Sequence, residues 1–262
     1  MIDEYTYERL REIIKTRAGV DISCYSTSFI ARRLECRMNA CNIKDHKEYI
    51  RLLELECSDE INIFVASLSI NVTEFFRDPD VFDRFRDILR GYNYNYNCNN
   101  VKIWSVGCAS GEEPYTIAIV AKSSGVRCSI LASDISKDAI AYAMNGVYSS
   151  KSLKNVPKDI LERYFTATTN GYMVRKEIRD MVTFEVRDVT NSAPEGYFDF
   201  IFCRNMLIYM DYTNRNRIMS NICSVLKQNG YLILGKSEYI SNNNLPLSCV
   251  DTRTKIYRKI FN

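Results

Sequence analysis

The 262-residue sequence has little of what several classes of site require. It contains one histidine, His46, and its ten cysteines include no CxxC pair, so no zinc or other metal site is expected. No apolar run approaches the roughly 20 residues that a membrane span needs, and no charged-then-apolar leader opens the chain. We therefore expect a cytoplasmic protein with reduced thiols and no membrane insertion.

The net charge is also small, at +3, and it is unevenly distributed. Residues 1–90 hold 14 Lys and Arg against 17 Asp and Glu, whereas residues 91–262 hold 21 against 15. Neither part is basic enough to demand nucleic acid as a partner. The hydrophobic content of 46% is sufficient for a core.

The patterns that are present divide the chain into two parts. The first 90 residues show only the apolar period of amphipathic helices, with a stop at Gly19, a helix cap at Asp78 and another stop at Gly91. The polar stretch 92–100, YNYNYNCNN, is interpreted as an exposed connection.

After this stretch, short β-rich runs alternate with helical ones, which indicates a parallel sheet covered on both faces. The predicted strands are VKIWSV, SILASD, MVTFEV, FDFIFC and YLILG, with RTKIYRKI as a closing strand. Asn170-Gly171 predicts a short β-hairpin inserted at about 164–178. The expected fold is α/β, with a small all-α domain over residues 1–70 and a doubly wound sheet domain over residues 71–262.

The loop after the first predicted strand, GCASGEEP, holds the most informative feature of the sequence. Gly107 lets the backbone approach a ligand, yet Glu112 and Glu113 fill the first helical positions, where they would repel a phosphate. Asp134 ends the second strand, where a carboxylate is placed to bind two ribose hydroxyls. S-adenosylmethionine fits this pattern better than a dinucleotide does; another nucleotide, or no ligand, is the alternative.

Motifs in a fixed order support this interpretation. NVTEFFRD (71–78), SVGCASGEEPYTIAI, ASDIS, FCRNMLIYMD (202–211) and LGKSE (234–238) resemble the motifs of the CheR family of chemoreceptor glutamate methyltransferases. The resemblance covers nearly the whole chain. It implies a helical domain joined to a Rossmann-like domain that binds S-adenosylmethionine, with S-adenosylhomocysteine as product. It also implies methyl transfer to glutamates on the cytoplasmic helices of methyl-accepting chemotaxis receptors.

The resemblance also implies which residues contact the cofactor. Together with Gly107, these are Asn71, Thr73, Arg77, Glu113, Asp134, the Asp188-Val189 step after the third strand and Asn205-Met206 after the fourth. The family often has Asn-Leu where this chain has Asp188-Val189, so contacts through the backbone are expected there.

Esterification of a glutamate requires mainly alignment, because the carboxylate is already ionised at neutral pH and no general base is needed. Arg77 or Arg204 is predicted to hold that carboxylate, and Tyr209 to add a hydrogen bond. The competing interpretations are a local ion pair for Arg77, a structural ion pair for Arg204 and a core aromatic for Tyr209.

The second helix carries Arg32, Arg33 and Arg37, of which the last two lie along one edge of its apolar stripe. The resemblance implies that this helix faces the receptor, so these arginines are predicted to dock acidic receptor helices. A solvated helix face is the alternative, and a monomer is expected.

Other functions compete with this assignment. A methyltransferase that acts on nucleobase amino groups usually needs an aromatic platform after the fourth strand, where this chain has CRNMLIY. We therefore expect no nucleic acid partner. A carboxyl methyltransferase of another protein or small acid, and a non-catalytic S-adenosylmethionine-binding regulator, stay open.

Overall fold

The structure is a computed structural model that describes residues 2–55, 59–68, 73–96, 98–240 and 245–260. The chain groups into two compact units. The helical unit comprises Met1–Ile70 and Tyr209–Arg215, and the sheet unit comprises Asn71–Ile208 and Asn216–Asn262. Every helix among these described residues is too short or too polar to span a lipid bilayer.

The helical unit is built from amphipathic helices. They are α1 (Glu4–Ala18), α2 (Thr27–Ala40), α3 (His46–Glu54) and α4 (Glu60–Leu68). Leu10, Leu34 and Phe64 are among the side chains that these helices bury. Helix α1 ends as predicted, because Gly19 adopts a φ of 71° and its N–H donates to the carbonyl of Lys15.

The sheet unit alternates strands with helices along the chain. Its helices are α5 (Pro79–Tyr96), α6 (Glu112–Ser123), α7 (Lys137–Asn145), α8 (Lys158–Tyr164), α9 (Lys176–Arg179) and α10 (Tyr212–Val225), whose first turn groups with the helical unit. Its strands are β1 (Val101–Val106), β2 (Cys128–Asp134), β3 (Val147–Tyr148), β4 (Phe165–Thr168), β5 (Gly171–Val174), β6 (Val182–Val186), β7 (Phe198–Cys203), β8 (Leu226–Leu234), β9 (Leu247–Asp251) and β10 (Ile256–Lys259).

Seven of these strands form one sheet in the order β6-β2-β1-β7-β8-β10-β9. The first five are parallel, and β10 and β9 extend the sheet as antiparallel strands. The predicted fold class is therefore confirmed. The register places Val106 opposite Ser133 of β2 and Cys203 of β7, so the loops that follow these strands meet at one edge of the sheet.

Helix α5 is longer than predicted, because it continues past Gly91 and ends at Tyr96. The sequence predicted a stop at Gly91 and an exposed connection over residues 92–100, of which Asn97 lies outside the described residues. Instead, Tyr92 is buried and its hydroxyl donates a 2.8 Å hydrogen bond to Asp199. Burial of a large apolar side chain contributes about 1.5–3 kcal/mol, which outweighs about 1 kcal/mol for a helical glycine.

The predicted hairpin consists of β4 and β5, which are joined at Asn170-Gly171. Strand β3 also pairs with β5, and together they form a small antiparallel sheet in the order β3-β5-β4. A side chain is not tolerated at Gly171, because a Cβ there would lie 2.2 Å from the carbonyl oxygen of Tyr148. The hairpin is therefore held against the chain that follows α7.

Candidate functional site

The candidate site lies where the sheet order reverses, between β1 and β7. In doubly wound sheets, ligands bind beyond the carboxyl ends of the strands at this point. Gly107 follows β1 with a φ of 65°, and a Cβ there would lie 3.0 Å from the sulfur of Met206. The fold thus brings together two residues that the sequence predicts as cofactor contacts.

Asp134 ends the neighbouring strand β2 and is buried. One carboxylate oxygen accepts a 2.8 Å hydrogen bond from the N–H of Ala109, and the other accepts a 2.9 Å bond from the N–H of Ser136. The carboxylate therefore ties the loop after β1 to the loop after β2. A carboxylate is a pure acceptor with about four lone-pair sites on its two oxygens.

The two glutamates that open α6 have different surroundings. Glu112 is only 3% exposed and accepts a 2.7 Å hydrogen bond from the hydroxyl of Ser110. Burial raises the pKa of Glu112 to about 7. Glu113 accepts hydrogen bonds from the Ser105 hydroxyl at 2.9 Å and from Arg204 at 3.1 Å. The predicted cofactor residue Glu113 is therefore already part of an ion pair.

Arg77 lies between two non-glycine residues in the left-handed backbone region, Phe76 at φ 53° and Asp78 at φ 60°. Such conformations cost about 1–3 kcal/mol each and persist only where the surroundings determine them. Here the N–H of Phe76 donates to the hydroxyl of Thr116 at 3.2 Å. This hydrogen bond stabilises the unusual backbone conformation beside Arg77.

Arg204 follows β7, and its side chain is only 1% exposed. Its guanidinium pairs with Asp78 at 2.6 Å and with Glu113 at 3.1 Å, and it donates to the carbonyl of Arg77 at 3.0 Å. It also lies 5.4 Å from the centre of the Phe82 ring. This geometry makes Arg204 a residue that positions the Arg77 segment, rather than the substrate contact that the sequence suggested.

The same network includes the residue that precedes α5. The sequence predicts a helix cap at Asp78, and α5 begins at the next residue, Pro79, with the Asp78 carbonyl accepting from the N–H of Val81 at 2.9 Å. The Asp78 carboxylate also accepts a 2.6 Å hydrogen bond from Arg204, a buried charge that needs an anionic partner there.

The turn after β7 contains the predicted contacts Asn205 and Met206. Asn205 has a left-handed φ of 59°. Glu238, which follows β8, accepts backbone hydrogen bonds from Asn205 at 2.9 Å and from Leu207 at 2.8 Å. Sequence reasoning quoted LGKSE (234–238) as a motif but assigned no role to its glutamate; an acid just beyond a strand end was the available signal.

The Asp188-Val189 step follows β6, the strand beside β2. The Asp188 carboxylate accepts from the Thr190 N–H at 2.9 Å, the Thr190 hydroxyl at 2.6 Å and the Asn191 amide at 2.9 Å. These bonds shape the loop itself. The Asp188 side chain therefore bonds to its own loop, and the contact expected with the cofactor is through the backbone.

Thr73 lines a cavity of about 580 Å³ in the sheet unit, together with Ser110, Glu112 and Tyr142. This predicted cofactor residue is therefore grouped with the first glutamate of α6. Asn71, the other contact predicted in this segment, lies outside the described residues.

Tyr209 groups with the helical unit. Its ring lies 4.9 Å from the ring of Phe29 in α2, and its carbonyl accepts a 2.9 Å hydrogen bond from the N–H of Ser26. The neighbouring Met210 pairs with Tyr25 in an isolated β-bridge. The fold thus attaches the predicted catalytic tyrosine to the start of α2.

The three arginines of α2 that are predicted to dock the receptor have different surroundings. Arg37 pairs through two 2.8 Å hydrogen bonds with Glu60, which also accepts a 2.6 Å bond from the Tyr49 hydroxyl. Arg33 lies 5.1 Å from the centre of the Phe29 ring, whereas Arg32 is exposed. Arg37 therefore has a partner inside the helical unit, and Arg32 presents its charge at the surface.

Both parts of the chain match described protein families. Residues 6–69 match the CheR methyltransferase all-alpha domain, and residues 71–256 match the CheR methyltransferase SAM binding domain. A chemotaxis protein methyltransferase of Escherichia coli is 32% identical over 247 residues, which cover 90% of this chain and 85% of that protein. One from Borreliella burgdorferi is 32% identical over 249 residues, with coverage of 90% and 88%. A probable biofilm formation methyltransferase, WspC, of Pseudomonas putida is 26% identical over 238 residues, with coverage of 88% and 56%.

Proposed function

The chain belongs to the CheR methyltransferase family, and on that premise we propose that it methylates glutamate side chains of chemotaxis receptors. The methyl donor is S-adenosylmethionine, and the products are S-adenosylhomocysteine and a γ-glutamyl methyl ester. The observation that carries the proposal is the meeting of Gly107, Asp134 and the Asn205-Met206 turn on adjacent strand ends.

The chemistry of these strand ends suits a nucleoside that has positive charge and no phosphate. The Asp134 carboxylate would accept from ribose hydroxyls, and Gly107 leaves the backbone open to close approach. Phosphate sites use the free N–H groups at a helix start, whereas α6 opens with Glu112 and Glu113. The donor set therefore favours S-adenosylmethionine over a nucleotide.

When bound, S-adenosylmethionine supplies a methyl group on a sulfonium, which is an activated leaving group. The acceptor glutamate is ionised at neutral pH, so the protein has no proton to remove. The role of the protein is alignment, which can lower a barrier by roughly 7–11 kcal/mol. Arg77 would hold the acceptor carboxylate with its planar guanidinium, and Tyr209 would donate a hydrogen bond from its hydroxyl.

Recognition of the receptor would use the exposed charge of α2. The proposed partner is an acidic helix of a chemotaxis receptor, and Arg32 is the arginine that presents its charge at the surface. Exposed charges of this kind accelerate encounter and set specificity more than they raise affinity.

The proposal is tested by transfer of labelled methyl groups. The purified protein is incubated with methyl-labelled S-adenosylmethionine and membranes that contain chemoreceptors but no endogenous methyltransferase. We expect alkali-labile label on the receptor, and none when the receptor's methyl-accepting glutamates are replaced by alanine.

The other outcomes contradict parts of the proposal. Alkali-labile label on another protein or a small acid would overturn the receptor assignment but keep carboxyl methylation. Binding of S-adenosylhomocysteine without any transfer would indicate a regulator rather than an enzyme.

A further inference from the structure

We propose that Glu238 is a positioning residue for cofactor binding: its carboxylate fixes the turn after β7 by accepting the backbone N–H groups of Asn205 and Leu207. The inference deepens the proposed function, because it rests on the predicted contact of this turn with the cofactor. The residue has no assigned role, and it lies 33 positions from Asn205 in the chain.

The turn that Glu238 holds has a backbone that needs external support. Asn205 adopts a φ of 59°, and the N–H groups of Asn205, Met206 and Leu207 all interact with the Glu238 carboxylate. Successive N–H groups around a left-handed residue form a concave anion site. In this protein the anion site is filled by the protein's own side chain.

The carboxylate is itself anchored to β8. It accepts a 2.7 Å hydrogen bond from the N–H of Gly235, and the N–H of Glu238 donates back to the Gly235 carbonyl at 2.9 Å. Gly235 has no room for a side chain, because a Cβ would lie 2.8 Å from both the N of Asn205 and a carboxylate oxygen of Glu238. The strand ends of β7 and β8 are therefore fixed to each other through this glutamate.

The surroundings of Glu238 act on its carboxyl group in two opposing ways. The residue is 3% exposed, and burial raises its pKa in spite of the opposing effect of the backbone hydrogen bonds. An ionised carboxylate is a pure acceptor and matches a set of N–H donors. A glutamine of the same shape would direct an NH₂ donor at one of those N–H groups.

The test compares Glu238→Gln with Asp199→Asn. Asp199 is a matched control: it is 1% exposed and lies near the start of β7, the strand that precedes the turn. It accepts from the Lys102 N–H at 2.7 Å and from Tyr92 and Lys227. Calorimetric titration with S-adenosylhomocysteine and the thermal midpoint are measured for each protein.

We expect Glu238→Gln to raise the dissociation constant of S-adenosylhomocysteine about tenfold or more, since buried N–H groups lose their partner. Asp199→Asn should lower the thermal midpoint about as much as Glu238→Gln does. Its dissociation constant for S-adenosylhomocysteine should stay within about threefold of the wild-type value. In turnover assays, the KM for S-adenosylmethionine should rise more than kcat falls. Near-normal affinity in folded Glu238→Gln, or equal losses in the two variants, would overturn the assignment.

Gly235→Ala tests the same turn without altering the carboxylate. Its added methyl group would press on the backbone nitrogen of Asn205 and on the Glu238 carboxylate oxygen, so binding should weaken about tenfold as well. If Glu238→Gln does not fold, normal binding by Gly235→Ala rejects the proposal. Because S-adenosylhomocysteine binding is the readout, an incorrect receptor assignment leaves the result unchanged, whereas wild-type protein that does not bind it refutes the proposed function itself.

Discussion

At the scale of single residues, Arg77 and Arg204 are held in place in different ways. Arg204 is enclosed by Asp78, Glu113 and the carbonyl of Arg77. Arg77 is held in place through its backbone, between two left-handed residues. Arg204 therefore contacts the Arg77 segment directly, and a role of Arg77 toward the substrate or cofactor stays a prediction.

Arg77→Lys distinguishes the two roles that remain open for Arg77. Lysine keeps the charge but loses the planar guanidinium. If Arg77 orients the acceptor, turnover should fall about tenfold or more while cofactor affinity stays within a few-fold, because small misplacements are costly. If it holds the cofactor, affinity should fall and turnover should recover at saturating S-adenosylmethionine. Steady-state kinetics and calorimetry measure both, and normal values for Arg77→Lys and Arg77→Ala alike would exclude either role.

Asp134→Ala is expected to weaken cofactor binding. Hydrogen bonds to a charged group contribute roughly 1.5–3 kcal/mol, which corresponds to about a 10- to 150-fold rise in the dissociation constant. Titration with S-adenosylhomocysteine measures the change. Asp159→Ala, which removes an exposed carboxylate from α8, is the control and should bind normally.

The structure adds a second cause for the effect at Asp134. Its carboxylate also accepts from the N–H groups of Ala109 and Ser136. Asp134→Ala therefore removes the hydrogen bonds that join the loops after β1 and β2, as well as the expected ribose acceptor. An unchanged dissociation constant for Asp134→Ala would remove the residue from both roles.

At the scale of elements, the ion pair of Arg37 changes the interpretation of α2. Arg37 and Glu60 join α2 to α4, and the Tyr49 hydroxyl joins α3 to the same carboxylate. Removing one partner of such a pair leaves an uncompensated charge. Charge reversal of Arg33 and Arg37 together would therefore disturb the helical unit as well as any docking surface.

Arg32→Glu is the cleaner test of docking by α2. It should reduce receptor methylation at low salt and leave S-adenosylhomocysteine affinity unchanged. The loss should shrink as the ionic strength approaches 1 M, where the screening length falls to about 3 Å. Arg11→Glu on α1 reverses the same charge at a partly exposed position of the helical unit, where Arg11 pairs with Glu8, and serves as the control. Equal rates for both variants at low salt would exclude Arg32 from docking.

At the scale of the whole molecule, Glu112 links stability to pH. Its pKa is raised to about 7 from an ordinary value of 4.5. Between these values the unfolded chain loses a proton that the folded protein keeps. The contribution of Glu112 to stability is therefore present below about pH 4.5 and is lost as the pH rises to about 7, with a total of about 3 kcal/mol.

Glu112→Gln should remove this dependence, because the amide does not ionise. Urea denaturation should show the variant to be more stable than wild type at pH 8, with little or no advantage at pH 4.5. Glu195→Gln, at an exposed position, should behave like wild type at both values. A gain of the same size at the two pH values would contradict the assignment to ionisation.

The motif FCRNMLIYMD (202–211) is divided between the two compact units. In FCRNMLIYMD, the N–H of Leu207 is held by Glu238 in the sheet unit, whereas the carbonyl of Tyr209 is held by Ser26 in the helical unit. The domain division at residue 70 stays a prediction, and the compact units differ from it by adding 209–215 to the helical part.

The sequence by itself determined the features that local pattern controls. The switch from helical to alternating periodicity located the start of the sheet at β1, and Gly19 marked the end of α1. Asp134 and Asn205 were recognised as strand-end positions because each is a polar residue at the end of an apolar run. These features depend on neighbours a few residues apart, so periodicity and turn chemistry are sufficient to find them.

Only the tertiary structure decided which side chains meet. Arg204 pairs with Asp78 across 126 positions, and Tyr92 extends α5 by reaching Asp199 across 107 positions. The role of Glu238 likewise depends on strands β7 and β8 lying side by side. A buried charge or polar group must find its partner wherever the fold places one, and no local pattern encodes that position.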